Sequence, residues 1–188
     1  MALASPPSDI PPPVAPTGPV DQVDLGVNRI AQDDHTLLCW AACATMVAQF
    51  YQRAATLRTV VERARPDLGS CGDLDACNVG CTEADVLRVY GLFAITGNLS
   101  QQPLSESDLQ KELAARRPVE IGYGSCVAGA SSGHLIIVSG FHAGTDSISF
   151  LVDDPEPAGT GTASYQGLLT DPNGGLCWRR TWSNLRPS

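Results

Sequence analysis

The hydrophobic pattern of the chain changes at Pro118, and this change sets the fold class. Before Pro118, apolar residues recur at helical spacing and follow Ser or Thr caps, which predicts helices at 36–53, 82–91 and 105–117. After it, β-branched and aromatic residues separated by Gly and Asp turns predict strands at 119–124, 134–142 and 147–154. The later stretches "ASYQGLLT" and "CWRRTW" are further strand candidates. Helices followed by a meandering antiparallel sheet predict an α+β fold.

The chain of 188 residues has the length of one domain with a tail. Residues 1–20 contain seven prolines, which exclude helix and sheet and predict a proline-rich flexible tail or linker. We therefore expect the folded domain to occupy residues 21–188.

Charge and hydropathy exclude several classes of partner. The net charge is −8 and no run of Lys or Arg occurs, so we expect no binding to nucleic acid or to anionic membranes. No apolar run approaches the ~20 residues that a membrane span needs. The start "MALASPPSDI" is neither basic nor strongly apolar, so no cleaved signal peptide is expected.

Seven cysteines are many for a chain of this size, and they predict an oxidising environment outside the producing cell. The odd number is most simply explained by three disulfides and one free thiol. A zinc site formed by Cys43, Cys71, Cys77 and Cys81 is an alternative. Its spacings lack the close Cys-x2-Cys pair of most structural zinc sites.

The stretch "HTLLCWAACATMVAQFY" places a cysteine, Cys39, in the first turn of a helix that Thr36 is predicted to cap. A helix N-terminus stabilises an anion, and the thiolate is the reactive form of cysteine. The position therefore favours an activated nucleophile. A buried structural cysteine is the other interpretation that the helix alone allows.

A cysteine nucleophile needs a base, and the chain offers His35, His134 and His142. His134 begins an apolar strand after the small residues "SSG", and strand alternation places Asp154, and not Asp153, on the face that would meet it. On a continuous strand His134 and His142 would lie about 26 Å apart, so they do not suggest a shared metal.

These residues resemble a known family in order and spacing over about 28–157. The matching stretches are Gln32, "CWAAC..MV" from 39, "RPVEIGYG" from 117, "GHLIIVSGFH" from 133 and "VDDP" from 152. They are similar to papain-like cysteine proteases of the compact bacterial branch, which includes bacteriocin-leader-processing peptidases and secreted effector proteases. The resemblance implies a helical lobe, with the nucleophile at a helix start, packed on an antiparallel sheet lobe.

The resemblance also implies roles for single residues. Cys39 would be the nucleophile, His134 the general base and acid, Asp154 the group that orients the imidazole, and Gln32 a donor to the oxyanion hole. Trp40 would pack between the lobes. Two departures exist: Gln32 precedes Cys39 by seven residues where papains have six, and Leu37 and Leu38 replace the Cys-Gly-Ser signature of plant and lysosomal enzymes.

The implied activity is that of an endopeptidase working through a Cys-His-Asp triad and an acyl-enzyme, without cofactor or metal. Transfer to another acceptor, deamidation of protein side chains, and a non-catalytic binding module with the same fold remain alternatives. The expected partners are a protein or peptide substrate and an immunity or inhibitor protein, as for a toxin module delivered without a signal peptide. Papains staple the nucleophile helix to a nearby loop, so Cys43 could pair with Cys71, Cys77 or Cys81. A bridge between Cys126 and Cys177 would close the edge of the sheet.

Overall fold

The computed structural model describes residues 21–126, 133–157, 159–170 and 175–188. The predicted tail at 1–20 lies outside these residues. The described part contains five α-helices: α1 Cys39–Phe50, α2 Leu57–Ala64, α3 Glu83–Leu92, α4 Glu106–Ala114 and α5 Tyr165–Leu169. It also contains seven strands: β1 Gln22–Asp24, β2 Ile95–Ser100, β3 Val119–Ser125, β4 Gly133–Ala143, β5 Ile148–Asp153, β6 Thr160–Ser164 and β7 Leu176–Pro187.

The strands form one antiparallel sheet in the order β2-β7-β3-β4-β5-β6, and β1 pairs with the second half of β4. The expected α+β fold is confirmed. The expected separation of helices from strands is not, because β1 precedes the helices, β2 lies between α3 and α4, and β7 returns to pair with β2 and β3. Part of "ASYQGLLT" is the short helix α5, which begins after Ser164, and not a strand.

The helix caps explain where three helices begin. The Thr82–Asp85 capping box starts α3 as predicted, although the helix continues through Gly91 to Leu92. The side chain of Ser105 accepts a hydrogen bond from the N–H of Asp108 and starts α4. A reciprocal pair of bonds between Thr56 and Thr59 starts α2, which the sequence pattern did not predict.

The sheet is covered on both faces because successive strand residues point to opposite sides. On β3, Val119, Ile121 and Tyr123 pack with α4 and α5, in a cluster that includes Leu109 and Leu168. The other face packs against α1 and α3, and α2 packs on these two helices. Helix α1 is buried from Trp40 to Ala48, so it is the central helix of that layer.

Strand β1 approaches β4 at Gly140, where a Cβ atom would lie 2.2 Å from the carbonyl oxygen of Val23. Only glycine allows this contact, which ties the segment before α1 to the sheet. Within the described residues, no helix has both the length and the apolar character required to cross a membrane.

Candidate active site

Cys39 is the first residue of α1, as predicted, but Thr36 does not cap the helix. Leu38 occupies the N-cap position and no side chain caps it. The N–H of Thr36 instead donates to the carbonyl of Asp34 at 3.1 Å, in the turn before the helix. The first-turn N–H groups of a helix have no intrahelical partner and carry the positive end of the macrodipole, so an anionic sulfur is favoured at Cys39.

The start of α1 is held by the loop that follows a 3-10 turn at Asp75–Cys77. The N–H of Leu37 donates to Oδ1 of Asn78 at 2.9 Å, and Nε1 of Trp40 donates to the carbonyl of Val79 at 2.9 Å. Trp40 is buried in the cluster between the helices and the sheet, in the position expected for it. The two bonds therefore hold the start of α1, with Cys39, against one wall of a cleft.

His134 is the second residue of β4, and Asp154 follows directly after β5. Nε2 of His134 lies 2.8 Å from Oδ1 of Asp154, and the two side chains are 14% and 22% exposed. The Cys39 thiol lies close enough to this ring to contribute to raising its pKa. The structure thus brings together three of the four predicted site residues at one end of the β4–β5 pair.

Burial of the imidazole disfavours its protonated form, but the hydrogen bonds and charges of Asp154 and Cys39 outweigh this effect. Together they raise the pKa of His134 from 6.5 to about 10. An imidazolium beside Cys39 stabilises the thiolate. The arrangement therefore favours the protonated imidazolium of His134 at neutral pH.

The two adjacent aspartates have different surroundings. Asp153 lies inside the protein and accepts hydrogen bonds from Thr160, at 3.1 Å, and Ser139. Burial raises the pKa of Asp153. In the β4–β5 register Asp153 pairs with Ile137, and Asp154, one residue further, turns its carboxylate toward His134.

Glu156 completes the surroundings of the histidine. Its N–H donates to Oδ1 of Asp154 at 2.8 Å, and its own Oε1 lies 3.7 Å from Nδ1 of His134. Ligand atoms of His134, Asp154 and Glu156 lie within 4.8 Å of one another, so these side chains could approach a cation together. Asp154 and His134 already use their facing atoms in a hydrogen bond with each other.

Gln32 is buried at 2% exposure, close in space to the turn that carries Asp154. Its N–H donates to the carbonyl of Pro155 at 2.9 Å, and its carbonyl accepts the N–H of His35 at 3.0 Å. Its side-chain Oε1 is buried without a hydrogen-bond partner among the described residues. The role of Gln32 in an oxyanion hole stays a prediction.

The other two histidines lie outside this cluster. Nδ1 of His35 is 3.1 Å from the carbonyl oxygen of Gln32, and its Nε2 is 3.2 Å from Oδ1 of Asp75. His142 is exposed near the opposite end of β4 from His134. Neither ring has a contact with Cys39 in the described part of the chain.

A cleft of about 1300 Å³ runs beside the Cys39–His134 pair. One wall comes from the helical layer and the other from the first residues of β4 and the ends of β3 and β7. Apolar side chains line part of it: Leu37, Val86, Leu87, Leu99, Leu135 and Trp182. Its volume and its two walls suit an extended polymer better than a small, enclosed ligand.

An ion pair joins the two walls. Arg180 of β7 contacts the carboxylate of Glu83 at the start of α3, and Nε2 of Gln101 donates to the same carboxylate at 2.7 Å. Arg179 lies on the same wall and donates to the carbonyls of Ser125 and Cys126. The cleft therefore contains charged groups that could select among substrates.

Two disulfides are present, and not three. Cys71 pairs with Cys77, and Cys126 pairs with Cys177, the second as expected. Cys39, Cys43 and Cys81 are free thiols, so the proposed pairing of Cys43 is wrong. Cys43 lies fully inside the protein, and its position in the core of α1 explains why no loop cysteine reaches it. The bridge between Cys71 and Cys77 also overturns the alternative zinc site.

Sequence reasoning missed several residues of this region. Glu156 lies two residues after Asp154, a spacing that could have suggested a neighbour of the histidine. Arg29 donates to the turn after β5, and Glu83 and Arg180 meet across the cleft. These contacts join residues separated by roughly half the chain, and nothing in the local sequence indicates them.

The fold and the Cys, His and Asp cluster define a papain-like cysteine protease. The family model described as "Papain-like cysteine protease AvrRpt2" matches residues 20–169, and the chain belongs to this family. This confirms the suspected resemblance and makes the protein a cysteine protease. No curated protein matches the chain.

Three solved structures show the same fold at low identity. The peptidase domain of Streptococcus ComA, a bi-functional ABC transporter of a quorum sensing pathway, is 13% identical with a TM-score of 0.56, covering 86% of this chain and 99% of its own. A double glycine motif protease from an AMS/PCAT transporter, in complex with its leader peptide, is 16% identical with a TM-score of 0.54, covering 90% and 100%. A structure from work on the mite allergens Blo t 1 and Der p 1 is 12% identical with a TM-score of 0.61, covering 89% and 72%.

Proposed function

We propose that the protein is an endopeptidase in which Cys39, His134 and Asp154 form the catalytic triad and Gln32 donates to the oxyanion hole. The observation that carries this proposal is the position of the His134 ring, which hydrogen-bonds Asp154 at 2.8 Å and interacts with the Cys39 thiol beside an open cleft. A nucleophile, a base and a group that orients the base are the parts that acyl transfer requires.

The reaction follows from these contacts. The Cys39 thiolate attacks a peptide carbonyl, and the N–H of Cys39 and the amide of Gln32 stabilise the oxyanion. The His134 imidazolium gives its proton to the leaving amine, and an acyl-enzyme remains. His134 then removes a proton from water, which attacks the thioester and releases the acid. Because Nε2 donates to Asp154, Nδ1 is the nitrogen that exchanges the proton with sulfur and water.

The substrate is a peptide or protein segment that lies extended in the cleft. The double glycine motif protease was solved with a leader peptide, which supports a peptide ligand for this fold. We further propose that the enzyme works outside the producing cell as an effector or toxin, and that a cognate immunity or inhibitor protein blocks its cleft. Two disulfides support an oxidising environment for at least part of its life.

Two other functions use the same residues or the same fold. Transfer of the acyl group to an amine or thiol, or deamidation of a side chain, needs the same triad and differs only in its products. A non-catalytic binding module would not need an activated thiol. The interactions of His134 with both Asp154 and Cys39 favour catalysis over simple binding.

The test is incubation of a proteome with the intact chain or with Cys39→Ala, followed by mass spectrometry of new N-termini. An endopeptidase produces new N-termini only with the intact chain. Deamidated or cross-linked side chains without new N-termini would favour the transferase or deamidase. The same set of termini with both proteins would overturn the proposed nucleophile.

A further inference from the structure

The turn that carries Asp154 is held by a single arginine from the other end of the chain. Nε of Arg29 donates to the carbonyl of Asp154 at 2.6 Å, and Nη2 donates to the carbonyls of Pro155, at 3.4 Å, and Glu156. Three consecutive carbonyls thus face one planar guanidinium. Among the described residues Arg29 has no carboxylate within ion-pair distance, so its donors serve the backbone.

The turn closes around this guanidinium. The N–H of Asp154 donates to the carbonyl of Gly159 at 3.2 Å, and the N–H of Gly159 donates to that of Glu156 at 2.9 Å. Gly159 adopts a φ of +76°, and a Cβ there would lie 3.6 Å from Cζ of Arg29. The backbone therefore passes directly beside the charged group, and its carbonyls converge on it.

The same bonds connect the turn to Gln32. The carbonyl of Pro155 accepts both Nη2 of Arg29 and the N–H of Gln32 at 2.9 Å. Arg29 and Gln32 belong to the segment that joins β1 to α1. This segment consequently contacts the turn of Asp154 twice, once by a side chain and once by the backbone.

We propose that Arg29 is a positioning residue, which fixes the Asp154 carboxylate against His134 and keeps Gln32 in register with it. This inference rests on the proposed function, because it acts through the triad. A lysine could not replace Arg29, since an ammonium group has no planar fork that spans three carbonyls. Groups that orient a reacting side chain from behind typically contribute about 10- to 100-fold to activity.

The test compares Arg29→Ala with Arg58→Ala, an exposed arginine of α2 that also donates to one backbone carbonyl, that of Gly72, at 3.0 Å. Arg29→Ala should lower kcat/KM by about 10- to 100-fold, mainly through kcat. The alkaline limb of its pH profile of kcat/KM should shift to lower pH, because His134 loses a fixed partner and its imidazolium releases the proton more easily. Added guanidinium or a short alkylguanidine should restore part of the activity of Arg29→Ala. The Arg29→Lys variant should recover less activity than the rescued Arg29→Ala variant.

The outcomes separate the two proposals. The melting temperature of Arg29→Ala should match that of Arg58→Ala. A shift of the alkaline limb to lower pH, together with rescue by guanidinium, then supports a positioning role for Arg29. Loss of activity with an unchanged pH profile and no rescue would mean that Arg29 only supports the fold. Activity equal to that of Arg58→Ala would also overturn the inference. If Asp154→Ala is itself fully active, then the triad fails, whatever Arg29→Ala does.

Discussion

Each end of β4 carries a histidine, and the two histidines lie in different environments. At the first end, His134 is mostly buried, and it contacts Asp154 on one side and Cys39 on the other. At the second end, His142 is exposed and pairs through its backbone register with Gln22 of β1 and Ser149 of β5. Its ring has no hydrogen bond or ion pair in the described part of the chain. One strand therefore offers the same side chain in two environments.

A histidine becomes a candidate base through its neighbours. Asp154 stands where β5 leaves the sheet, and Cys39 stands at a helix start that packs against the same sheet end. The turn between β4 and β5, beside His142, brings only small and polar residues close. Burial and the Asp154 carboxylate both act on the pKa of the His134 ring, whereas the His142 ring remains exposed to solvent.

The largest expected effect is the contrast between His134→Ala and His142→Ala. Loss of the base and acid should lower kcat on the order of 10⁶-fold, since members of a catalytic triad act as a unit. Loss of an exposed ring should change activity by less than about twofold. Cleavage of a peptide substrate by both variants, with melting curves as a control for folding, measures the contrast. An inactive His142→Ala beside an active His134→Ala would contradict the proposed site.

The contrast between Asp154 and Asp153 is expected to be smaller. Asp154→Ala should lower kcat by about 10²- to 10⁴-fold, because the imidazole loses the group that fixes its orientation. Asp153→Ala should lower the melting temperature, since it removes the partner of Thr160 and Ser139 inside the protein, and should leave the activity of the folded fraction nearly unchanged. The reverse ranking per folded molecule would show that Asp153 serves the histidine.

These contrasts also show how far the sequence could predict the structure. Asp154 meets His134 as predicted, but strand alternation and the turn between β4 and β5 do not produce this contact alone. The register shifts between Val138 and Gly140, and without that shift Asp154 would share a face with Ile137 and not with His134. The turn does set the register of the strand halves next to it, because that effect is local. The capping box of α3 was predicted for the same reason.

Contacts between distant segments could not be predicted in this way. The pairing of β7 with β2 and β3, the packing of β1 on Gly140 and the contact of Arg29 with the turn after Asp154 depend on the whole fold. The predicted cap of α1 was wrong. Thr36 has the better side chain for capping, but Leu38, which is packed in the core, occupies the N-cap position. Tertiary packing overrides a local preference worth about 1 kcal/mol.

A third prediction concerns the free thiols, which number three and not one. Burial raises the pKa of Cys43 and of Cys81, so both remain protonated and poorly reactive at neutral pH. Iodoacetamide at pH 7 should therefore alkylate Cys39 at least about tenfold faster than either. Peptide mapping after short exposure measures the rates. In His134→Ala the advantage of Cys39 should shrink, and in His142→Ala it should persist. Equal labelling of Cys81 would show that the cleft, and not His134, determines reactivity.

The last prediction uses the buried middle of β4, between its two histidines. Opposite Ile137 lies Glu120 of β3, which is fully buried, and its Oε2 accepts a hydrogen bond from the hydroxyl of Tyr90 at 2.7 Å. Its Oε1 has no partner among the described residues. Burial raises the pKa of Glu120 to about 8, against an opposing effect of the Tyr90 bond. Here the interior favours the neutral form of a side chain, whereas at His134 it holds a charged one.

The sign of the pH dependence follows from that pKa. The folded state keeps a proton on Glu120 up to about pH 8, whereas the unfolded chain releases it near the ordinary value of 4.5. The contribution of Glu120 to stability is therefore complete below about pH 4.5 and is lost as the pH rises through 8, by an amount on the order of a few kcal/mol.

Glu120→Gln should remove the loss of stability that comes from Glu120, so the variant should gain stability relative to the natural chain as denaturant unfolding is followed from pH 5 to pH 8. Tyr90→Phe removes the bond that lowers the pKa, and it should move the end of the decline to higher pH. A difference between the natural chain and Glu120→Gln that is constant across this range would mean that Glu120 is ionised in the folded protein, and the contrast between the middle of β4 and the end that carries His134 would disappear.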